Sequence, residues 1–361
     1  MNKIEKMIKE LCPNGVEWKK IGEIATLVRG KVISKDYLQD NEGEYPVYSS
    51  QTANNGELGR IDTYMFDGKY LTWTTDGAYA GTVFKREGKF NITNVCGLID
   101  IKDEKSISLD YVYYTLAMEA PKYVLEGMGN PKLMSNVMEK VSIPLPPLPI
   151  QTGIVRILDK FVEQQEQLER LIELRKKQYE YYREEMLKPK EGEKWEKVIM
   201  SDVCDLKAGK AISASELNDS NAYPCYGGNG IRGYISKYSH EGNFAIIGRQ
   251  GALCGCVNWA TKKFYATEHA VVVTPKNGND SRFLYLLFTR ANLNQYKSAG
   301  AQPGLAVNKL NELYFTIPSS KKQKQIVKIL DFYETSIATL TTALELSKKR
   351  YEYYMDKMLN F

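Results

Sequence analysis

The 361 residues are 43% hydrophobic and 26% charged, a composition that can build two domains with ordinary cores and that excludes a disordered chain. No apolar run approaches the roughly 18 residues needed to cross a bilayer, and residues 1–15 lack an apolar signal segment, so we expect a cytoplasmic protein without a membrane partner. Six scattered cysteines exclude a disulfide framework, and the net charge of +5 permits a nucleic-acid partner without requiring one.

The first half of the chain divides into three predicted parts. Residues 1–11 are expected to form a short helical segment. Residues 12–147 are rich in Gly, Tyr, Thr and Asn, and turns interrupt β-favouring runs such as 69–75. A helix is predicted over 109–118. Prolines then lead into residues 148–190, which contain few glycines and predict a long helix.

The second half repeats this plan. Residues 191–318 again predict short strands, such as 243–248, and a helix over 281–289. Residues 319–361 predict a second long helix. The predicted fold class is therefore α+β, with two similar, mostly β globular regions joined by two long α-helices.

The two halves are copies of one pattern. The segment Ile154–Asp159 recurs as Ile326–Asp331 at an offset of 172, and Gly30-Lys31 recurs as Gly209-Lys210 at an offset of 179. Many such matches follow one another in the same order, which indicates an internal repeat. Residues 1–11 resemble the chain after the first long helix, so they would complete a circular repeat.

Both long helices carry apolar residues at alternating spacings of four and three over five heptads, as in a coiled coil. A dimerisation stalk is one interpretation. We favour an antiparallel intramolecular pair with a pseudo-two-fold axis, because both stripes lie in one chain and a globular region separates them. Four tyrosines are expected to pack in this seam: Tyr179, Tyr182, Tyr351 and Tyr354. The residues predicted to pair the helices are Ile154, Leu158, Phe161, Leu168, Ile172, Ile326, Leu330, Tyr333, Leu340 and Leu344.

The sequence predicts no catalytic residues. It has no phosphate-binding loop of the Gly-x-x-x-x-Gly-Lys-Ser/Thr type, and its only histidines are His240 and His269. Nor does it contain the Asn/Asp-Pro-Pro-Tyr/Phe segment of adenine methyltransferases. Cys254, Cys256 and His269 could be read as zinc ligands, but two cysteines at alternating strand positions are more simply small apolar residues. We therefore expect no metal site.

Several segments occur in the order known from one protein family. They are Glu17–Ile24, the Tyr-Pro-x-Tyr segments at 45–48 and 223–226, Asn229–Tyr234, Phe264–Ala270 with its partner Phe90–Cys96, the helix starts at Gln151 and Gln323, and the Lys-Lys-x-Tyr-Glu-Tyr-Tyr pattern near both helix ends. This ordered, duplicated set resembles the specificity subunit of type I restriction-modification systems over essentially the whole chain.

The resemblance implies a non-catalytic DNA reader, present as one copy in its complex. Two target-recognition domains, at 12–147 and 191–318, would each read one half of a bipartite, asymmetric site in double-stranded DNA. Two methylation subunits would dock on the helices at 148–190 and 319–361, and two restriction subunits could join to cleave. S-adenosylmethionine, ATP and Mg would be bound by these partners and not by this chain.

Each recognition domain would place polar side chains against base edges, in a common frame that carries different residues. Asn and Gly also form turns, so the same loops can be read as structural. The residues expected at base edges are Gln51, Asn54, Thr74, Thr75 and Asp76 in the first domain, and Asn229, Arg232, Arg249, Gln250 and His269 in the second.

Phosphate contacts are expected from Lys31 and Lys210, which both follow a glycine. Charge differs between the domains: residues 12–147 carry 15 basic and 18 acidic side chains, net −3, whereas residues 195–318 carry 13 and 9, net +4. A phosphate-binding domain is not normally acidic, so part of the affinity of the first domain would come from the methylation subunits. Two readers one turn of B-DNA apart predict a spacer of about five to eight base pairs.

Two alternative functions remain open from the sequence. The chain could serve a methylation-only system with no cleaving partner, or it could be a coiled-coil scaffold that binds no DNA. Copurification with a methyltransferase separates both DNA-reading functions from the scaffold. A translocating restriction subunit in the complex separates the first two.

Overall fold

The computed structural model describes residues 3–125, 129–299 and 303–361. The chain separates into two compact units: unit 1 comprises residues 1–167 and 343–361, and unit 2 comprises residues 168–342. Each unit therefore contains one globular region and a part of each long helix. Within the described ranges, no helix is both long and apolar enough to span a membrane.

Unit 1 opens with the predicted N-terminal helix; residues 1 and 2 of that prediction lie outside the described residues. Short strands and short helices alternate up to the first long helix. The elements are α1 (Lys3–Leu11), β1 (Trp18–Lys20), α2 (Ile21–Ile24), β2 (Ala25–Arg29), α3 (Lys35–Asp40), β3 (Glu42–Tyr48), β4 (Glu57–Ile61), β5 (Phe66–Thr74), β6 (Val83–Ile92), β7 (Cys96–Ile101), α4 (Leu109–Glu119), α5 (Ser135–Met138), β8 (Ser142–Pro144) and α6 (Leu148–Met186).

A six-stranded sheet in the order β2-β7-β5-β6-β3-β4 forms the centre of unit 1. Neighbouring strands are antiparallel except β3 and β6, which pair in parallel at Tyr48 and Ile92. Trp73 of β5 is fully buried, and its indole N–H donates a hydrogen bond of 2.8 Å to the carbonyl of Leu133. Apolar residues of α4, such as Leu116, belong to the same core as Trp73. The sheet is thus covered by a helix on this face.

After α6 the chain repeats this plan in unit 2 and ends in the second long helix, whose residues from 343 onward belong to unit 1. The elements are β9 (Glu196–Ile199), α7 (Met200–Val203), β10 (Cys204–Ala208), β11 (Tyr223–Gly227), β12 (Gly230–Ile235), β13 (His240–Glu241), β14 (Phe244–Gly248), β15 (Val257–Ala260), β16 (Lys263–Ala266), β17 (Ala270–Pro275), α8 (Ser281–Arg290), α9 (Val307–Asn311), β18 (Tyr314–Ile317) and α10 (Ser320–Leu359).

The six-stranded sheet of unit 1 corresponds to two four-stranded sheets in unit 2, in the orders β10-β17-β14-β15 and β12-β11-β16-β13. Strand β6 is continuous, whereas its counterpart is divided into β15 and β16, with Lys262 between them. Strand β5 likewise corresponds to β13 and β14, divided near Gly242. The parallel pair recurs at Tyr226 and Ala266. The repeat therefore extends to strand order.

The predicted α+β fold with two similar regions is confirmed, and so are the short helices. Observed α4 and α8 begin at the predicted residues and each ends one residue beyond the predicted end. Their starts have a local cause. The Ser108 hydroxyl accepts a hydrogen bond from the Tyr111 N–H, and the Asp280 carboxylate accepts from the backbone N–H groups of Arg282 and Phe283. Such side chains satisfy the free N–H groups of a first helical turn.

The long helices pair in opposite directions within unit 1. Near the start of α6, Leu158 shares a buried cluster with Met358 and Leu359 at the end of α10. Further along α6, the Phe161 ring lies 5.4 Å from the ring of Tyr354, which is earlier in α10. Residues later in α6 therefore lie beside residues earlier in α10, as in an antiparallel coiled coil.

In unit 2 the long helices are again antiparallel, but here the start of α10 lies beside the end of α6. Near the start of α10, Leu330 is buried in a cluster that includes Met186 and Leu187. The Tyr333 ring then stacks on Tyr182 at 5.3 Å, and the Tyr179 hydroxyl donates a hydrogen bond of 2.5 Å to Glu334. Every position of both predicted stripes is buried or half-buried, and the four tyrosines lie in the seam.

Candidate nucleic-acid interface

The two glycine-lysine pairs occupy matching places in the two units. The Lys31 N–H donates a hydrogen bond of 3.3 Å to the Ile92 carbonyl at the end of β6, and the Lys210 N–H donates one of 3.1 Å to the Ala266 carbonyl at the end of β16. A Cβ on Gly30 would lie 2.1 Å from the Ile92 oxygen, so this close approach requires glycine. Both lysine side chains are exposed and are available to a phosphate.

The polar loops predicted to read bases lie at equivalent hairpins. In unit 1, residues 49–56 connect β3 to β4, and in unit 2 only residues 228–229 connect β11 to β12. The longer loop is internally bonded, because the Gln51 side-chain amide donates to the Glu57 carbonyl. Asn54 is exposed and adopts a left-handed backbone conformation, with φ of 50°. Gln51 is half-buried, so Asn54 is the more available of the two predicted contacts.

The second predicted loop of unit 1 is corrected by the structure at two positions. Thr74 and Thr75 are completely buried, and the Thr74 hydroxyl donates to the Tyr79 carbonyl. These threonines therefore support the loop from inside instead of presenting hydroxyls to a DNA groove. Asp76 is half-buried, whereas Tyr79 is 61% exposed. The alternating pattern at the end of this strand did not indicate that both threonines would be buried.

Unit 2 collects four of its five predicted base contacts around one cleft. Asn229, Arg232, Gln250 and His269 line a cavity of about 430 Å³, together with glycine backbone. The glycines allow the two loops to touch, since a Cβ on Gly228 would lie 2.5 Å from the Gln250 carbonyl oxygen. Guanidinium and amide groups are among the side chains that recognise base edges in the major groove. The cleft thus brings together four polar side chains that the sequence predicted as base contacts.

The fifth predicted base contact, Arg249, joins neighbouring segments through its backbone. Arg249 is half-buried, and its backbone joins three segments: its N–H donates to the His269 carbonyl at 2.9 Å and its carbonyl accepts from Leu305 at 2.8 Å. The side chain is not part of the cleft lining. Of the five predicted contacts in unit 2, Arg249 is thus the one that does not line this cleft.

Glu268 was missed by sequence reasoning. Its Oε1 atom lies 3.0 Å from Nε2 of His269, and its Oε2 atom is buried without a hydrogen-bond partner among the described residues. A carboxylate in this position fixes the orientation of the imidazole and of its second nitrogen. Only the adjacency of Glu and His in the sequence could have indicated it.

The cysteines form neither a disulfide nor a metal cluster. All six are free thiols, and the described ranges contain no group of three or more His, Cys, Asp or Glu side chains that could hold a metal ion. Burial raises the pKa of Cys96 and of Cys204 to about 12, which keeps both thiols protonated at neutral pH. These thiols behave as small apolar core residues.

Comparison with known proteins agrees with this geometry. The model of the family described as "Type I restriction modification DNA specificity domain" matches residues 13–176 and 192–346. A Mycoplasma pneumoniae protein described as a type I specificity subunit is 31% identical over 95% of this chain and 97% of its own length. The specificity subunit of the Escherichia coli type I restriction enzyme EcoprrI is 45% identical over 54% of this chain and 51% of its own.

A solved structure shows the same fold. The S subunit of a type I restriction-modification system from M. genitalium matches with a TM-score of 0.67 and 17% identity, over 96% of this chain and 97% of that one. The duplicated domain, the paired helices and the full-length relative lead to one conclusion. The chain belongs to the family of type I restriction-modification specificity subunits.

Proposed function

We propose that each unit reads one half of a bipartite, asymmetric DNA site and that the long helices determine the spacer between the halves. The observation that carries this proposal is the repeated frame with different polar residues. Lys31 and Lys210 occupy matching positions, where phosphate contacts would be independent of sequence. The hairpin loops beside them, residues 49–56 and residues 228–229, differ in length and composition, as two readers of different half-sites would.

We also propose that the outer faces of the helices bind two methylation subunits. These faces carry exposed apolar side chains, which soluble proteins usually cover with a partner when they are clustered. They are Leu171, Leu174 and Tyr181 on α6, and Ile329, Phe332, Leu346 and Tyr353 on α10. S-adenosylmethionine, ATP and Mg would then be bound by the methylation and restriction subunits, which would also supply the reaction steps.

The start of α10 in unit 2 carries part of this surface. A cavity of about 720 Å³ lies beside Ile326, Ile329 and Phe332 and is edged by lysines. At the corresponding place in unit 1, helix α1 covers α6 and buries Ile4. The repeat thus supports an amphipathic helix as the occupant of the open cavity.

Copurification and methylation mapping test this function together. The chain should copurify with a DNA adenine methyltransferase, and a host that contains it should show a methylated motif with two defined halves and an unspecified spacer. The motif should vanish when the chain is deleted. A methylation-only system would give the same motif without a restriction subunit in the complex. A chain that binds neither methyltransferase nor DNA would support the scaffold alternative and contradict the proposal.

A further inference from the structure

Arg86 is the most unusual charged residue in unit 1. It lies on β6 with only 3% of its surface exposed, and its Nε donates a hydrogen bond of 3.0 Å to the Thr72 hydroxyl. The guanidinium carbon lies 3.6 Å from the centre of the Tyr48 ring, in stacking contact. Both Nη atoms are buried and have no hydrogen-bond partner within the described ranges. No carboxylate forms an ion pair with it among those residues.

Burying a charged residue in this way lowers the stability of the fold. A buried cation without a counterion loses its hydration, and each unpaired donor adds to that cost. Burial lowers the pKa of the Arg86 guanidinium, against opposing effects of Tyr48 and Glu57. An apolar side chain at this position would avoid the cost. Fold stability alone therefore does not explain Arg86.

Unit 2 provides an internal comparison. Its strands β15 and β16 correspond to β6, and the parallel pairs with β3 and β11 set the alignment at Ile92 and Ala266. With that alignment the position of Arg86 is taken by Ala260, which is fully buried. Unit 2 therefore builds the same sheet without an arginine here. The hairpin loop above this position differs between the two units.

The guanidinium of Arg86 lies directly beneath the long loop of unit 1. A Cβ on Gly56 would be 3.0 Å from Nη2 of Arg86 and 3.1 Å from the Gln51 carbonyl oxygen. The loop adopts a tight shape, with φ of 50° at Asn54 and 52° at Asn55. Tyr48, which stacks on Arg86, is the residue immediately before the loop. Unit 2 has neither this long loop nor the arginine.

We propose that Arg86 is a positioning residue for the first half-site: it holds loop 49–56 in the shape that reads DNA. This inference rests on the proposed function, in which that loop contacts bases. Arg86 itself touches no base. Its guanidinium fills the space under the loop and fixes the direction in which Tyr48 leads into it.

The test uses the assembled complex with its methylation subunits and compares wild type with Arg86→Met and Arg86→Lys. Binding is measured to three DNA duplexes: one with the full motif, one altered in the first half-site and one altered in the second. We expect both variants to lose about tenfold or more of their discrimination at the first half-site, the range of one good base contact. Discrimination at the second half-site should be unchanged. Amide hydrogen exchange of residues 49–56 should accelerate in both variants.

Lys69→Met is the matched control, because it removes an exposed charge from the neighbouring strand, where Lys69 forms an ion pair of 3.2 Å with the exposed Glu87. It should leave both half-sites and the loop exchange unchanged. Unchanged discrimination in both Arg86 variants would overturn the inference, as would equal losses at both half-sites. A salt dependence reduced by about one phosphate contact would also overturn it, since Arg86 would then bind DNA directly. A wild-type complex that discriminates at neither half-site would instead refute the proposed function.

Discussion

Gln323 makes in unit 2 the hydrogen bonds that Gln151 makes in unit 1. The Gln151 carbonyl accepts from the Ser108 N–H at 2.8 Å, and its amide donates to the Pro146 carbonyl at 2.7 Å. The Gln323 carbonyl accepts from the Asp280 N–H at 2.9 Å, and its amide donates to the Pro318 carbonyl at 3.0 Å. Each glutamine is only 1% exposed. Each therefore joins the start of its long helix to the N-cap of the short helix in its own globular region.

Removing either glutamine should loosen this junction locally. Gln151→Ala leaves the half-buried Ser108 N–H and the carbonyls of Ser106 and Pro146 without this partner, at a cost of about 1–3 kcal/mol. Amide protons of residues 108–112 should exchange correspondingly faster, while those of residues 280–284 are unaffected. Gln323→Ala should give the opposite pattern. The exposed Gln164→Ala is the control, and an effect of either buried variant on both junctions would contradict independent anchoring.

The helix seam should be sensitive to charge at matching positions. Leu158 and Leu330 are completely buried in unit 1 and unit 2, so Leu158→Asp or Leu330→Asp places an unpaired carboxylate in an apolar cluster. A loss of several kcal/mol of local stability is expected, with failure to assemble with methylation subunits. Gel filtration of coexpressed subunits measures this. Gln164→Asp is the control, because Gln164 is exposed on α6 and is not one of the apolar side chains proposed to bind the methylation subunits; normal assembly of both buried variants would rule out the seam as the platform.

The Glu268–His269 pair should act as one unit in reading the second half-site. Glu268→Gln keeps the shape but removes the charge that orients the imidazole, and His269→Gln removes the imidazole itself. Each should reduce discrimination at the second half-site by about 1–3 kcal/mol. The double variant should lose little more than either single variant, because the two side chains are in contact. Additive losses in this double-mutant cycle would show that Glu268 acts independently of His269.

Cysteine reactivity should follow burial. With a pKa of about 12, Cys96 and Cys204 have about one thiolate in ten thousand at pH 8, and their side chains are covered. Iodoacetamide should therefore spare them in the native protein and modify both in urea, as read by mass spectrometry of the peptides. Rapid native modification of either would contradict the described core.

The two predicted phosphate contacts, Lys31 and Lys210, should differ from the predicted base contacts in how their replacement changes the salt dependence of DNA binding. Lys31→Met or Lys210→Met should weaken binding to all DNA sequences alike and reduce the slope of log affinity against log salt by about one contact. Fluorescence anisotropy over a range of salt concentrations measures the slope. The exposed Lys69→Met serves again as a control. A change of the methylated motif in either lysine variant would argue for base contact.

The architecture could be predicted from the periodicity and the internal repeat of the sequence, whereas the burial of individual polar residues could not. The stripes predicted the seam and the matched offsets predicted two similar units, because both depend on spacing alone. The matched Tyr-Pro-x-Tyr segments located both hairpin loops, but only the strand register shows where each loop ends and hence that residues 49–56 correspond to residues 228–229. Thr74 and Thr75 looked like readers because polar residues at a strand end usually face solvent. Arg86 gave no local signal and Glu268 gave only its adjacency to His269, because the role of each depends on the residues that pack around it.

The most direct test of two independent readers is the methylated motif of domain chimeras. Replacing residues 20–145 with the matching region of a related specificity subunit should change one half of the motif and leave the other half and the spacer intact. The same exchange at residues 196–317 should change only the opposite half, because effects at separate sites without shared partners add. Methylome sequencing of hosts that carry each chimera gives the answer. If a single exchange altered both halves together, the account of two independent readers would be wrong.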